Sequence, residues 1–114
     1  MKASPYLILN GNCIKAIELY EKAFNTKADY CQYKDAPPSG VFPIQPGTEE
    51  SVMHCTLPIG GETIYLCDTT PDQPFAFGKS SFACVELNTI DAVKSTFGIL
   101  KEGGKLFCEA QETF

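Results

Sequence analysis

Between Val52 and Asp68 two runs of alternating apolar and polar residues flank the segment Pro58-Ile59-Gly60-Gly61-Glu62. Glycine reaches positive φ without steric cost, which is what the tightest hairpin turns demand. The stretch therefore reads as an antiparallel hairpin. Successive strand residues face opposite sides, so Met53, Cys55 and Leu57 share an apolar face while His54 and Thr56 share the other. A hairpin with one apolar face commits the chain to a sheet covered on a single side.

Two amphipathic helices are available to cover it. From Asn12 to Phe24 the residues Cys13, Ala16, Ile17, Tyr20, Ala23 and Phe24 recur at helical spacing, with Asn12 as N-cap and Asn25 as a left-handed stop. From Thr89 to Glu102 the stripe is Ile90, Val93, Phe97 and Leu100. There Asn88 and Asp91 stand at capping-box spacing, and Gly103-Gly104 ends the helix.

The other apolar segments are short, rich in β-branched and aromatic residues, and bounded by Gly, Pro or Asp, as strands are. With the hairpin they predict strands over Tyr6–Leu9, Ala28–Lys34, Val52–Pro58, Thr63–Asp68, Ser81–Leu87 and Lys105–Gln111. The segment Asp35 to Glu50 holds four prolines and two glycines and reads as a functional flap. The element order repeats: a shift of about 76 positions lays Ala92-Val93 on Ala16-Ile17. The expectation is an α+β protein of paired βαβββ modules, a curved mixed sheet around a cavity with helices on its outer face, the second module incomplete. All 114 residues form one domain, with module one at about 1–72 and a partial module two at about 79–114.

Composition narrows the partners. With 44% hydrophobic and 20% charged residues the chain is globular, and no apolar run approaches the roughly 18 residues that cross a bilayer. After Met1 only Tyr6 to Leu9 form an apolar run, too short for a secretion signal, so a cytoplasmic location is expected. The net charge is -5 and every basic residue is a lysine, which leaves no guanidinium fork for phosphate or guanine and argues against nucleic acid. The six cysteines show no Cys-x-x-Cys spacing and read as reduced, mostly buried small hydrophobes; zinc-knuckle spacing is absent as well.

The stretches PYLILNGNCIKAIELYEKAFN, SVMHCTLPIGGETIYLCD and QETF resemble the PhnB-like branch of the vicinal-oxygen-chelate superfamily, which includes glyoxalases, bleomycin-resistance proteins and extradiol dioxygenases. The closest motifs are Asn10-Gly11-Asn12, Ala16-Ile17-x-x-Tyr20, Met53-His54 and Gln111-Glu112-Thr113-Phe114. The resemblance implies a divalent metal held by His, Glu or Gln on the first, fourth, fifth and eighth strands. This chain departs from that pattern: the first strand offers Tyr6, Leu7, Ile8 and Leu9, the fifth opens Ser80-Ser81-Phe82-Ala83, and Tyr65 stands at the usual acidic position. No metal or other cofactor is therefore expected, unless further ligands come from a C-terminal segment or a partner chain. The resemblance also implies a homodimer.

His54 is the only histidine and so the only side chain whose ordinary pKa lies near neutrality, which makes it the candidate catalytic residue. Its neighbour depends on the turn. A two-residue loop at Gly60-Gly61 sets it opposite Cys67, with Thr56 opposite Tyr65, whereas a bulged three-residue loop sets it opposite Asp68. Thr56, Tyr65, Cys67, Asp68, Phe107, Gln111 and Phe42 are the candidate substrate-binding residues. Phe42, Phe75 and Phe77 lie in Pro-rich loops and read either as covers for an apolar ligand or as loop anchors. The expected function is binding of a small molecule in the cavity without a tightly held metal. The alternative is a metal-dependent lyase, transferase or dioxygenase-type enzyme that uses His54. The repeat and the resemblance both predict further strands beyond Phe114, over roughly 25 to 30 residues.

Overall fold

The computed structural model describes residues 1–36, 44–71, 78, 80–106 and 108–112. Its elements are β1 (Tyr6–Leu9), α1 (Cys13–Phe24), β2 (Asp29–Gln32), β3 (Val52–Ile59), β4 (Glu62–Asp68) and α2 (Ile90–Leu100), with single 3-10 turns at Tyr33–Asp35 and Lys101–Gly103. The strands form one mixed sheet in the order β1-β4-β3-β2, with β1 parallel to β4 and the other neighbours antiparallel. This is an α+β fold with an open four-stranded sheet.

The hairpin forms as its glycines dictate. Ile59 pairs with Glu62, which leaves a two-residue loop, and only Gly60 takes a positive φ, of 61°. Positive φ at the first central residue alone is the pattern of a type II′ turn, whose twist matches that of the flanking strands. Helix α1 stops at Asn25, which adopts the left-handed conformation (φ 50°, ψ 56°) while Thr26 N–H donates to the Glu21 carbonyl at 3.1 Å.

Register assigns the two faces of the sheet, because residues paired across neighbouring strands point the same way. Leu7, Leu9, Cys55, Leu57, Ile64 and Leu66 face the helices. Cys13, Ile17, Val52, Cys55, Leu57, Ile64 and Leu66 form the core cluster, and Leu57 and Leu66 are 0% exposed. Each fully buried leucine of this kind contributes about 1.5–3 kcal/mol.

Several expectations need correction. The predicted core residue Met53 is only half-buried, and Val52 takes its place. A bulge causes this: Cys31 pairs with His54 but Gln32 pairs with Val52, so Met53 is the extra residue and the alternation breaks there. Strand β2 ends at Gln32, short of the predicted Lys34, because the chain turns at Tyr33–Asp35. Tyr33 N–H donates to Ser51 O and Lys34 N–H to Glu49 O, both at 3.0 Å, and the exposed Lys34 and Glu50 side chains meet at 2.9 Å.

Both helix N-caps also differ. Asn12 occupies its cap position but makes no side-chain cap bond. In α2 the cap is Thr89, whose hydroxyl accepts from Ala92 N–H at 3.0 Å, one residue later than the predicted Asn88. Ile90, placed on the buried stripe of α2, is 74% exposed, and Val93 is 41% exposed.

The segments 81–87 and 105–111 carry no strand among the described residues. In 81–87 the alternation survives only in burial: Val85 and Leu87 are half-buried while Cys84 and Glu86 are exposed. A strand exists only against a partner that takes its hydrogen bonds, and the sheet found among the described residues includes neither segment. No helix among the described residues is long and apolar enough to cross a membrane.

Candidate functional site on the open face of the sheet

The sheet face away from the helices carries the chemistry. Thr56 pairs with Tyr65, Tyr65 with Tyr6, Cys67 with Ile8, and Cys31 with His54, so all of these share that face. The two-residue loop, continued along the ladder past Cys55 and Leu66, sets His54 opposite Cys67. Three rings gather at its centre. His54 lies 5.6 Å from Tyr65 at an interplanar angle of 29°, Tyr65 lies 5.8 Å from Tyr6 at 30°, and Tyr6 lies 6.3 Å from His54 at 49°. These separations are typical of attractive ring pairs. The Thr56 hydroxyl stands 3.5 Å from His54 Nε2, at the long limit of a hydrogen bond.

Tyr6 and Cys67 form the second polar contact. Loss of hydration pushes the Tyr6 phenol up to about 12, and its hydrogen bond to Cys67 adds to the effect, as expected for a hydroxyl that donates to the sulfur. The same bond draws the Cys67 thiol downward, but burial outweighs it and leaves the thiol above its ordinary value. Cys67 is therefore held as a neutral thiol, and the geometry does not favour a thiolate nucleophile beside His54.

Among the described residues this face does not assemble a set of chelating ligands. No group of three or more His, Cys, Asp or Glu among them is arranged to hold a metal ion. Cys31 and Cys67 flank His54 on neighbouring strands, so their backbones stand about 9.6 Å apart at the usual strand spacing. Two thiolates bound to one zinc-like ion need sulfurs within about 4.6 Å. The described side chains on this face do not supply the ligand set that the family resemblance implies.

Four predicted residues, His54, Thr56, Tyr65 and Cys67, thus meet on one face. Asp68 does not join them. It is 3% exposed on the helix side of the sheet, where Oδ1 accepts from Gly11 N–H at 2.9 Å and Cys13 N–H at 3.1 Å, and Oδ2 accepts from Val52 N–H at 2.9 Å. Its carboxylate caps α1 in place of Asn12 and closes the bulge of β3. Gln111 is exposed and belongs to no strand. Phe42 and Phe107, like Phe75 and Phe77, lie outside the described residues.

Two contributors escape the sequence reading as site residues, Tyr6 and Cys31. Tyr6 is 51% exposed, more than a packing residue would be. Strand parity alone assigns neither, because it needs the register of β1 on β4 and of β2 on β3.

No family model matches the chain. Protein YjdN of Escherichia coli strain K12 is 28% identical over 130 residues, an alignment covering 100% of this chain and 82% of that protein. Protein PA1353 of Pseudomonas aeruginosa superposes with a TM-score of 0.73 at 25% identity, over 91% of this chain and 74% of that one. A PhnB protein from Bacillus cereus, named as a candidate 3-demethylubiquinone-9 3-methyltransferase, superposes with a TM-score of 0.66 at 20% identity, over 88% and 73% of the two chains. The fold is PhnB-like.

Proposed function

We propose that this chain is a vicinal-oxygen-chelate protein of the PhnB-like branch that binds a planar small molecule on the open face of the sheet, without a tightly held metal. One observation carries the reading: Tyr65 stacks against both Tyr6 and His54, with Tyr6 tilted against His54, on a face that no helix among the described residues covers. Aromatic side chains standing together in this way offer a flat apolar surface, and the Thr56 hydroxyl and His54 imidazole supply directional polar atoms beside it. The ligand lies against the rings and hydrogen-bonds at His54. In this reading the protein is cytoplasmic and forms a homodimer, supported by the outer edges of β1 and β2, which no strand among the described residues covers and which suit cover by a second copy.

His54 gives a single set of imidazole resonances because the chain has one histidine. Titration with phenol, catechol, benzoate and indole, followed by the His54 ring protons, is expected to give saturable shifts for at least one probe, lost in Tyr65→Ala. Absence of any saturable shift overturns the ligand reading. Stoichiometric micromolar uptake of zinc, nickel or manganese in equilibrium dialysis overturns the metal-free part and favours the metal-dependent enzyme.

A further inference from the structure

We propose a second binding site on the opposite side of the sheet, in the crevice between α1, α2 and the core, for a compact uncharged apolar molecule with at most one hydroxyl. The crevice has a volume of about 340 Å³ and four walls. Leu57 and Ile64 of the sheet form its floor, Phe24 of α1 and Phe97 of α2 its sides, and Val85 and Leu87 of the segment 81–87 its cover. Helix α2 carries its apolar stripe yet buries no residue fully, because this space lies between it and the sheet.

The lining specifies the ligand class. Among the described residues no charged side chain lines the crevice. Of its two side-chain hydroxyls, that of Thr96 already donates to the Ala23 carbonyl at 3.3 Å, which leaves Tyr20 to meet one polar atom of a ligand. Burial raises the Tyr20 phenol above its ordinary value and keeps it neutral. A cavity of a few hundred cubic ångströms with apolar walls takes apolar ligands readily, whereas an ion entering it loses hydration without a partner. Adjoining clefts of about 440 Å³ and 350 Å³ open on either side of the same segment, and Glu86 lines both, with Glu62 in the first. Carboxylates at these approaches select further against acids such as fatty-acid anions.

Octan-1-ol and octanoate separate these terms, since they share chain length and differ in charge. Methyl NMR of the whole chain is expected to show saturable octan-1-ol shifts at Leu57 and Leu100 with the His54 ring protons unmoved, and octanoate binding weaker by at least about tenfold. Glu86→Gln, an exposed substitution, is expected to narrow that gap. Ala83→Phe, on the exposed segment beside the crevice, is expected to fill it and abolish octan-1-ol binding. The proposal is overturned by the absence of saturable methyl shifts, by equal affinity for alcohol and anion, or by unchanged binding in a folded Ala83→Phe variant. Failure at this site leaves the His54 titration unaffected, and the reverse holds as well.

Discussion

The carboxylate of Asp68 accepts a hydrogen bond from the main-chain N–H of Cys13 at 3.1 Å, so the last residue of β4 caps a helix that begins 55 positions earlier. A helix leaves its first N–H groups without internal partners, and a negative charge there is favoured by the helix dipole. With Gly11 and Val52 on the same carboxylate, one side chain joins the start of α1, the bulge of β3 and the end of β4. Asp68→Ala strands three donors in or near the core and is expected to cost about 3–5 kcal/mol in urea unfolding. Asp68→Asn keeps one oxygen for Gly11 and Cys13 but turns an amide toward Val52, with an expected loss of about 1–3 kcal/mol. Equal, small losses for both variants would show that the three contacts carry no weight.

The hairpin separates conformation from space. A Cβ added at Gly60 or at Gly61 meets nothing within 4 Å, but only Gly60 has a positive φ. Gly60→Ala is expected to destabilise by about 1–2 kcal/mol and Gly61→Ala by less than about 0.5 kcal/mol. Thermal melts of the pair check this, and a larger loss at Gly61 would contradict the type II′ assignment.

Burial of the thiols predicts an alkaline weakness. Burial, and then the charge of Asp68, pushes Cys13 from its ordinary 9.0 up to about 12, and burial takes Cys55 from 9.0 to about 11. Both are protonated in the fold at pH values where the unfolded chain ionises. Their contribution to stability is therefore whole below about pH 9 and declines as the pH rises toward 11–12. Urea midpoints between pH 8 and 11 are expected to fall, and less steeply in Cys13→Ala measured relative to its own value at pH 8. At pH 8 the exposed Cys84 and Cys108 are expected to alkylate well before Cys13 and Cys55, which mass spectrometry of partially labelled protein reads directly.

Tyr6 predicts a spectroscopic signature at the site itself. Its phenol ionises near 12 through lost hydration and the Cys67 bond. In Cys67→Ala the Tyr6 midpoint is expected to move down but to stay above the ordinary 10.0, because lost hydration is the larger cause, while Tyr20, raised by burial elsewhere, stays late. Ultraviolet titration of phenolate absorbance follows both. An unmoved late phase would show that Cys67 does not hold Tyr6.

Turn chemistry and periodicity made part of the fold legible from local sequence. Gly60-Gly61 between alternating runs specifies the hairpin, while the structure selects the two-residue loop and hence the pairing of Thr56 with Tyr65. Asn25 specifies where α1 stops. The buried set Cys13, Ile17, Cys55 and Leu57 follows from spacing of 3.6 in the helix and 2 in the strand. His54 stood out because the chain has no second histidine.

The sequence by itself thus determined the hairpin, the helices and the outward side of His54, since each depends on residues a few positions apart. Tertiary structure alone decided that Asp68 caps α1, that Val52 displaces Met53 from the core, that Tyr6 completes the ring trio and that residues 81–87 form no strand. The reason is physical. A helix turn or a tight loop satisfies its own hydrogen bonds, so its residues announce it. A capping carboxylate, a bulge, a ring stack or a strand acquires meaning only from groups that the fold brings from elsewhere in the chain.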